Sequence, residues 1–236
     1  MTDPIRLDKR LTALLGCSRG DAQRYIEGGW VTVDGVVVEQ PQTLVTNETV
    51  VLRENAEAGR TESVSMLVHK PAGLPADQLC ALVTPDSRSD LDATGVNLLQ
   101  RHFHGLQLAM PLAAEDSGMV VVSQDGRILS YLKDRAPTLE QEYVVEVSGE
   151  LVPYGMAKLA HGLSYRGWPL PPCKVSWQSE TRLRFAIKPV QPGQLRDMCA
   201  QVGLQVVNLR RLRIGRVAIG KLAPGQWRYL APDERF

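Results

Sequence analysis

Apolar residues Leu7, Leu11, Leu14 and Leu15 recur at the spacing of one helical face and leave Lys9 and Arg10 on the opposite side. An amphipathic helix with a basic outer surface is expected. A second helix should open at Ser18, which has the spacing of a capping box with Asp21, and should turn Ala22, Tyr25 and Ile26 inward. Gly28 and Gly29 should end it. Residues 30–33, the pair Asp34-Gly35 and residues 36–38 then read as a hairpin, because an Asp-Gly pair accepts the positive φ of a tight turn.

The stretch 53–63 is polar and aperiodic, contains Gly59, and reads as a flexible linker between a small domain at 1–52 and a larger one at 64–236. Beyond it, β-rich runs at 119–123, 143–147 and the alternating Leu183, Phe185 and Ile187 are interleaved with helical segments near 126–135, 151–161 and 192–202. This order predicts an α+β chain: a helix-helix-hairpin module, then a domain with a mixed or antiparallel sheet and flanking helices.

A hydrophobic fraction of 44% with 22% charged residues fits a globular protein. Residues 1–10 lack the apolar core of a signal peptide, and no run approaches the length a membrane span needs, so a cytoplasmic location is expected. Cys17, Cys80, Cys173 and Cys199 are widely separated and read as buried free thiols. His69, His102, His104 and His161 show no metal-binding or triad spacing. Neither a metal nor a cofactor is expected, and the chain reads as a monomer.

The net charge of +1 conceals an uneven distribution. Residues 6–24 hold Arg6, Lys9, Arg10, Arg19 and Arg24 against Asp8 and Asp21 alone. Residues 205–228 hold Arg210, Arg211, Arg213, Arg216, Lys221 and Arg228 with no acid. Local basic surface of this kind attracts a polyanion whatever the average charge.

The helix-helix-hairpin order, with Arg-Leu-Asp-Lys-Arg at 6–10, Cys-Ser-Arg at 17–19, Tyr-Ile-Glu at 25–27 and Val-Asp-Gly at 33–35, resembles the S-four RNA-binding domain over residues 5 to 52. The resemblance implies that Arg6, Lys9, Arg10, Arg19 and Arg24 meet the phosphates of folded RNA. Arg210, Arg211 and Arg213 extend the list of RNA-binding candidates.

Further signals follow in order: His-Lys-Pro-Ala-Gly at 69–73, residues 112–126 with their Asp-Ser-Gly and Gln-Asp-Gly turns, Gln-Leu-Arg-Asp-Met at 194–198, and Pro-Gly-Gln-Trp-Arg at 224–228. Together they resemble the RsuA/RluB/RluE/RluF branch of the ribosomal RNA pseudouridine synthases. Enzymes of that branch detach uracil from ribose, turn it and reattach it through carbon, with an essential aspartate and no metal or cofactor.

The family pattern around the aspartate is Arg-Leu-Asp-x-x-Thr/Ser-x-Gly-Leu. Anchored on Gly118 and Met119, it places Ala113 at the aspartate and Pro111 at the arginine. Glu115 and Asp116 are the only nearby substitutes. The resemblance makes Tyr143 the uracil-packing tyrosine and Arg196 the arginine that pairs with the aspartate, so Arg196 is expected to have lost its partner. Gln141 stands where a basic residue is usual, and residues 191–193 have also drifted. Ala113 should therefore face Tyr143 and Arg196 across a cleft with room for the missing carboxylate. Lys70, Pro71 and Gly73 read as scaffold, and Trp168, Trp177 and Trp227 as core residues. The expected function is binding of structured ribosomal RNA with weak or no isomerase activity. The alternatives are an isomerase using Glu115 or Asp116, and an assembly factor or RNA chaperone.

Overall fold

The computed structural model describes residues 3–59, 63–188 and 190–236, so residues 60–62 of the expected linker lie outside the described residues. The chain divides into two compact units, Met1–Ser63 with Gly95–Gly105 and Val64–Thr94 with Leu106–Phe236. Residues 95–105 thus group with the N-terminal unit, not with the second domain expected from sequence.

In the first unit, helices Leu7–Leu15 and Arg19–Glu27 precede a hairpin of Val31–Val33 and Val36–Val37, with Val50–Leu52 on the free edge of the first hairpin strand. The Ser18 hydroxyl accepts from the backbone N–H of Asp21 at 3.1 Å and opens the second helix as expected. Asp34 (φ 49°) and Gly35 (φ 83°) make the tight turn. Leu7, Leu11, Ala22, Ile26, Val31, Val45 and Val50 form the core.

Leu14 and Leu15, expected inside, are 53% and 38% exposed. The small core reaches only the first two turns of their helix, and the last turn, closed by Gly16 at φ 65°, carries them past it. The segment 95–105 adds to this unit in a way the periodicity did not reveal. Asn97 Nδ2 donates to the Gly28 carbonyl at 3.2 Å, the Gln100 N–H donates to the Glu39 carboxylate at 3.0 Å, and Leu99 lies against Gly29. A Cβ on Gly29 would fall 2.5 Å from Leu99 Cδ2, so the second glycine does more than stop a helix.

The second unit is a nine-stranded mixed sheet. Its main path runs Lys174–Ser179, Arg182–Ile187, Gln141–Gly149, Leu204–Ile214, Ser117–Ser123, Ser65–Lys70, Trp227–Tyr229, with Gln107–Ala109 and Val217–Ala218 joined to its inner strands. Leu204–Ile214 runs parallel to Ser117–Ser123, and the other described pairs of this sheet are antiparallel. Helices Gly126–Arg135, Gly155–Ala160 and Gln194–Ala200 accompany it, close to the expected positions. The α+β reading therefore holds. Separate apolar clusters form around Phe185 and Met198 and around Met119 and Leu132.

The parallel junction makes the strictest steric demand. Gly118 (φ 111°) pairs with Arg211, and a Cβ there would lie 2.3 Å from the Arg211 carbonyl oxygen and 2.4 Å from its nitrogen. Both clashes are with backbone at the centre of a sheet, where nothing can move aside. Gly118→Ala should lower stability by more than about 4 kcal/mol or prevent folding, through overlap and positive-φ strain together. Gly126→Ala, at an open position in a helix, is the control and should be neutral or slightly stabilising. Urea unfolding midpoints of the two variants decide the matter.

Candidate functional site

The loop 110–116 connects two neighbouring strands of the sheet and is held from below by a buried ammonium. Lys70, 1% exposed, donates to the carbonyls of Asp116 at 2.7 Å, Ala114 at 2.9 Å and Pro71 at 3.1 Å. The Gly73 N–H, in a residue at φ 86°, also reaches the Ala114 carbonyl at 2.7 Å. Burial pushes the Lys70 pKa down, while the carboxylates of Asp116 and Glu115 oppose that shift. These contacts give the Lys-Pro-x-Gly sequence a structural job, which is to fix the loop's backbone.

Ala113 is half-buried, and its carbonyl accepts from the Asp116 N–H at 3.2 Å. That turn brings Asp116 round to helix Gln194–Ala200, where its carboxylate pairs with the Arg196 guanidinium. Glu115, with its side chain 60% exposed, stands 3.8 Å from the same arginine. The expectation that Arg196 has no carboxylate partner is therefore wrong. Counting residues along an extended chain places Asp116 too far from the site of Ala113, but the hydrogen-bonded turn shortens the path.

Tyr143 is 2% exposed and belongs to the core cluster against which Leu112 packs. Its hydroxyl donates to Gln141 Oε1 at 2.8 Å, and burial pushes the phenol pKa up, so it remains protonated. The same Gln141 oxygen accepts from Arg211 Nη1 at 3.1 Å. Arg211 also donates through Nε to the Met119 carbonyl at 2.7 Å and through Nη2 to the Met110 carbonyl. Being 2% exposed, it cannot meet RNA as expected. Its guanidinium ties the loop and two strands together. Arg213 is likewise engaged, pairing with Glu140 at 2.6 Å and Glu142 at 3.1 Å, whereas Arg210 is exposed. The run read as a basic surface is a strand inside the sheet, so its arginines alternate between faces.

The N-terminal basic face has its own organiser, which charge counting missed. Asp8 is fully buried beneath exposed arginines, accepting from Arg6 Nε and Nη2 at 3.1 and 3.0 Å and from Arg19 Nε and Gln23 Nε2 at 3.1 Å. Burial alone would raise its pKa. Hydrogen bonds from Arg6, Gln23, Arg19 and the Lys9 N–H outweigh burial and hold it at about 2. Lys9 and Arg10 are exposed beside it, and Arg24 pairs with Asp21 at 2.6 Å while remaining 45% exposed.

Of the remaining sequence candidates, His69 Nδ1 meets the Leu222 carbonyl at 2.6 Å and is structural. Trp227 is fully buried, but Trp168 and Trp177 are 75% and 41% exposed and are not core residues. All four cysteines are free, yet only Cys199 is fully buried. Among the described residues, no group of His, Cys, Asp and Glu could hold a metal ion, and no helix is long and apolar enough to cross a membrane.

With the geometry in place, comparison with known proteins gives it a family setting. The S4 domain model matches residues 5–51. Ribosomal small subunit pseudouridine synthase A of Vibrio cholerae is 26% identical over 234 residues, covering 98% of this chain and 97% of that protein. Dual-specificity RNA pseudouridine synthase RluF of Escherichia coli is 25% identical over 236 residues, covering 98% of this chain and 77% of its own length. A crystal structure of a pseudouridylate synthase matches with TM-score 0.57 at 20% identity and 96% coverage of both chains, a likeness of fold.

The buried carboxylate of the basic face leads to a pH dependence. Because the folded pKa of Asp8 is depressed, its contribution to stability is present above its ordinary value of 3.8 and is lost as pH falls towards about 2. Asp8→Asn should lower stability by about 1–3 kcal/mol near neutral pH, and the difference from wild type should shrink across that acidic window. Denaturant midpoints measured from pH 7 down to 2 check both statements; a difference that stays constant contradicts them.

Proposed function

We propose that this chain, an S-four-containing relative of the RsuA/RluF-type pseudouridine synthases, binds structured ribosomal RNA in the cytoplasm as a monomer and does not isomerise uridine. One observation carries the second half. The position at which the family resemblance puts the nucleophile is Ala113, whose methyl group can neither attack carbon nor carry a proton. Its surroundings agree. Asp116, three residues on, is already paired with Arg196, and Tyr143 has its ring in the core and its hydroxyl on Gln141. A flipped uracil packs against an accessible aromatic face, whereas the Tyr143 ring is 2% exposed. Drift at Gln141, on the wall next to Tyr143, fits a site no longer maintained for turnover.

RNA binding is assigned to the face carrying Arg6, Lys9, Arg10, Arg19 and Arg24. Asp8 pre-orients two of these guanidinium groups, so less side-chain freedom is lost when phosphates arrive. Such a surface recognises the shape and charge of folded RNA and not its sequence.

A second reading is favoured by the Asp116–Arg196 pair itself. In it, Asp116 takes over the arginine that the family aspartate uses and serves as a relocated carboxylate. This requires the loop to open, because the Asp116 residue is only 8% exposed.

The two readings separate in a turnover assay. Purified protein incubated with unmodified ribosomal RNA should leave its uridines unchanged, at least about 10³-fold below an active relative. Turnover that disappears in Asp116→Ala would establish the relocated carboxylate. The RNA-binding half is checked by replacing Lys9, Arg10 and Arg19 with alanine. Affinity for folded ribosomal RNA should fall and the slope of log Kd against log salt should flatten, since fewer counterions are released. Unchanged affinity removes the basis for this interface.

A further inference from the structure

The hairpin of Ser164–Tyr165 and Trp168–Pro169 has no role in the account so far. Tyr165 pairs with Trp168, so its turn is Arg166 and Gly167, at φ 52° and 83°. The indole of Trp168 is 75% exposed at this tip. On the same turn, the Arg166 guanidinium lies over the Tyr165 ring, 5.1 Å from its centroid. The base of the hairpin is firmly seated. Tyr165 is 9% exposed and its hydroxyl donates to the Pro192 carbonyl at 2.6 Å, while the Ser164 carbonyl accepts from Gln201 Nε2 at 2.8 Å. Leu163 and Leu170 on either side enter the apolar cluster of the sheet. Pro192 and Gly193 lead directly into the helix that carries Arg196.

A firmly seated hairpin that carries an exposed indole and a guanidinium on one tip suits a particular kind of partner. Along the chain the indole is preceded by exposed Ser164, Arg166 and Gly167 and followed by exposed Pro169, Pro171 and Pro172; the cation on the turn is what favours a nucleotide over the purely apolar surface that protein docking uses. An unpaired nucleotide needs what is present: a flat π-face for the base and a cation for its phosphate. We propose that Trp168 is a stacking platform for an unpaired base of bound RNA, with Arg166 meeting the adjoining phosphate. This rests on the RNA-binding reading and adds to it a second contact, in the other unit and selective for unpaired nucleotides.

The test uses the full-length protein, an RNA stem-loop with an unpaired uridine-rich loop, and a fully paired duplex of similar length. Trp168→Ala should weaken stem-loop binding roughly ten-fold or more, with the salt slope unchanged, because stacking releases no counterions. Trp168→Phe should restore most of the affinity, and the duplex should bind both variants like wild type. The melting temperature of Trp168→Ala should match wild type, because the side chain is exposed. Stem-loop affinity unchanged in Trp168→Ala, alongside a weakened Lys9/Arg10/Arg19 variant, overturns the stacking proposal and leaves the RNA-binding reading intact. An equal loss on stem-loop and duplex also contradicts stacking. Wild-type protein that binds neither RNA overturns both.

Discussion

The second unit depends on one crowded point, where the backbones of Gly118 and Arg211 meet in the parallel pairing of two central strands. Only glycine fits there, and its absence of a side chain lets the strand Leu204–Ile214 lie close enough for the Arg211 guanidinium to reach Met119, Gln141 and Met110. A buried guanidinium with its N–H groups satisfied is stabilising in place and costly to disturb, because any donor left unpaired carries its full desolvation penalty. The loop 110–116 is therefore pinned at its start by Arg211 and at its end by the Lys70 ammonium. That fixed backbone sets where Ala113, Glu115 and Asp116 stand.

With the backbone fixed, the side chains decide what chemistry remains. Ala113 contributes nothing reactive, and Asp116 supplies the carboxylate that pairs with the Arg196 guanidinium. A partly buried arginine without a counter-charge would be destabilising, so the Asp116 pair helps to hold helix Gln194–Ala200 to the loop. The N-terminal unit uses charge in the opposite sense. There a buried carboxylate holds the guanidinium groups of Arg6 and Arg19 while both side chains stay exposed. Arg196 is thus paired from the side of the sheet unit, while Arg6 and Arg19 stay exposed above Asp8.

The sequence made the first unit legible almost element by element, because its signals are local: a Ser18–Asp21 cap, an Asp34-Gly35 turn and short apolar repeats. The strand and helix positions of the second unit were legible for the same reason. What escaped was set by tertiary contact. The exposure of Leu14 and Leu15 reflects how far a small core extends. The docking of residues 95–105 on Gly28 and Gly29 joins positions distant in the chain. The engagement of Asp116 depends on a turn whose hydrogen bond no periodicity announces. Charge counting failed at Arg211 and Arg213 because a basic run that becomes a central strand points its residues to alternate faces. It also passed over Asp8, the acid on which the basic face is organised.

RNA binding and isomerisation are both read out by one experiment: crosslinking the protein to RNA in cells, with pseudouridine mapping of ribosomal RNA in cells that have the gene and cells that lack it. A protein that binds ribosomal RNA without isomerising uridine should give crosslinks concentrated in ribosomal RNA and a pseudouridine profile that is the same in both. A pseudouridine that vanishes with the gene, at or beside a crosslinked nucleotide, would contradict it.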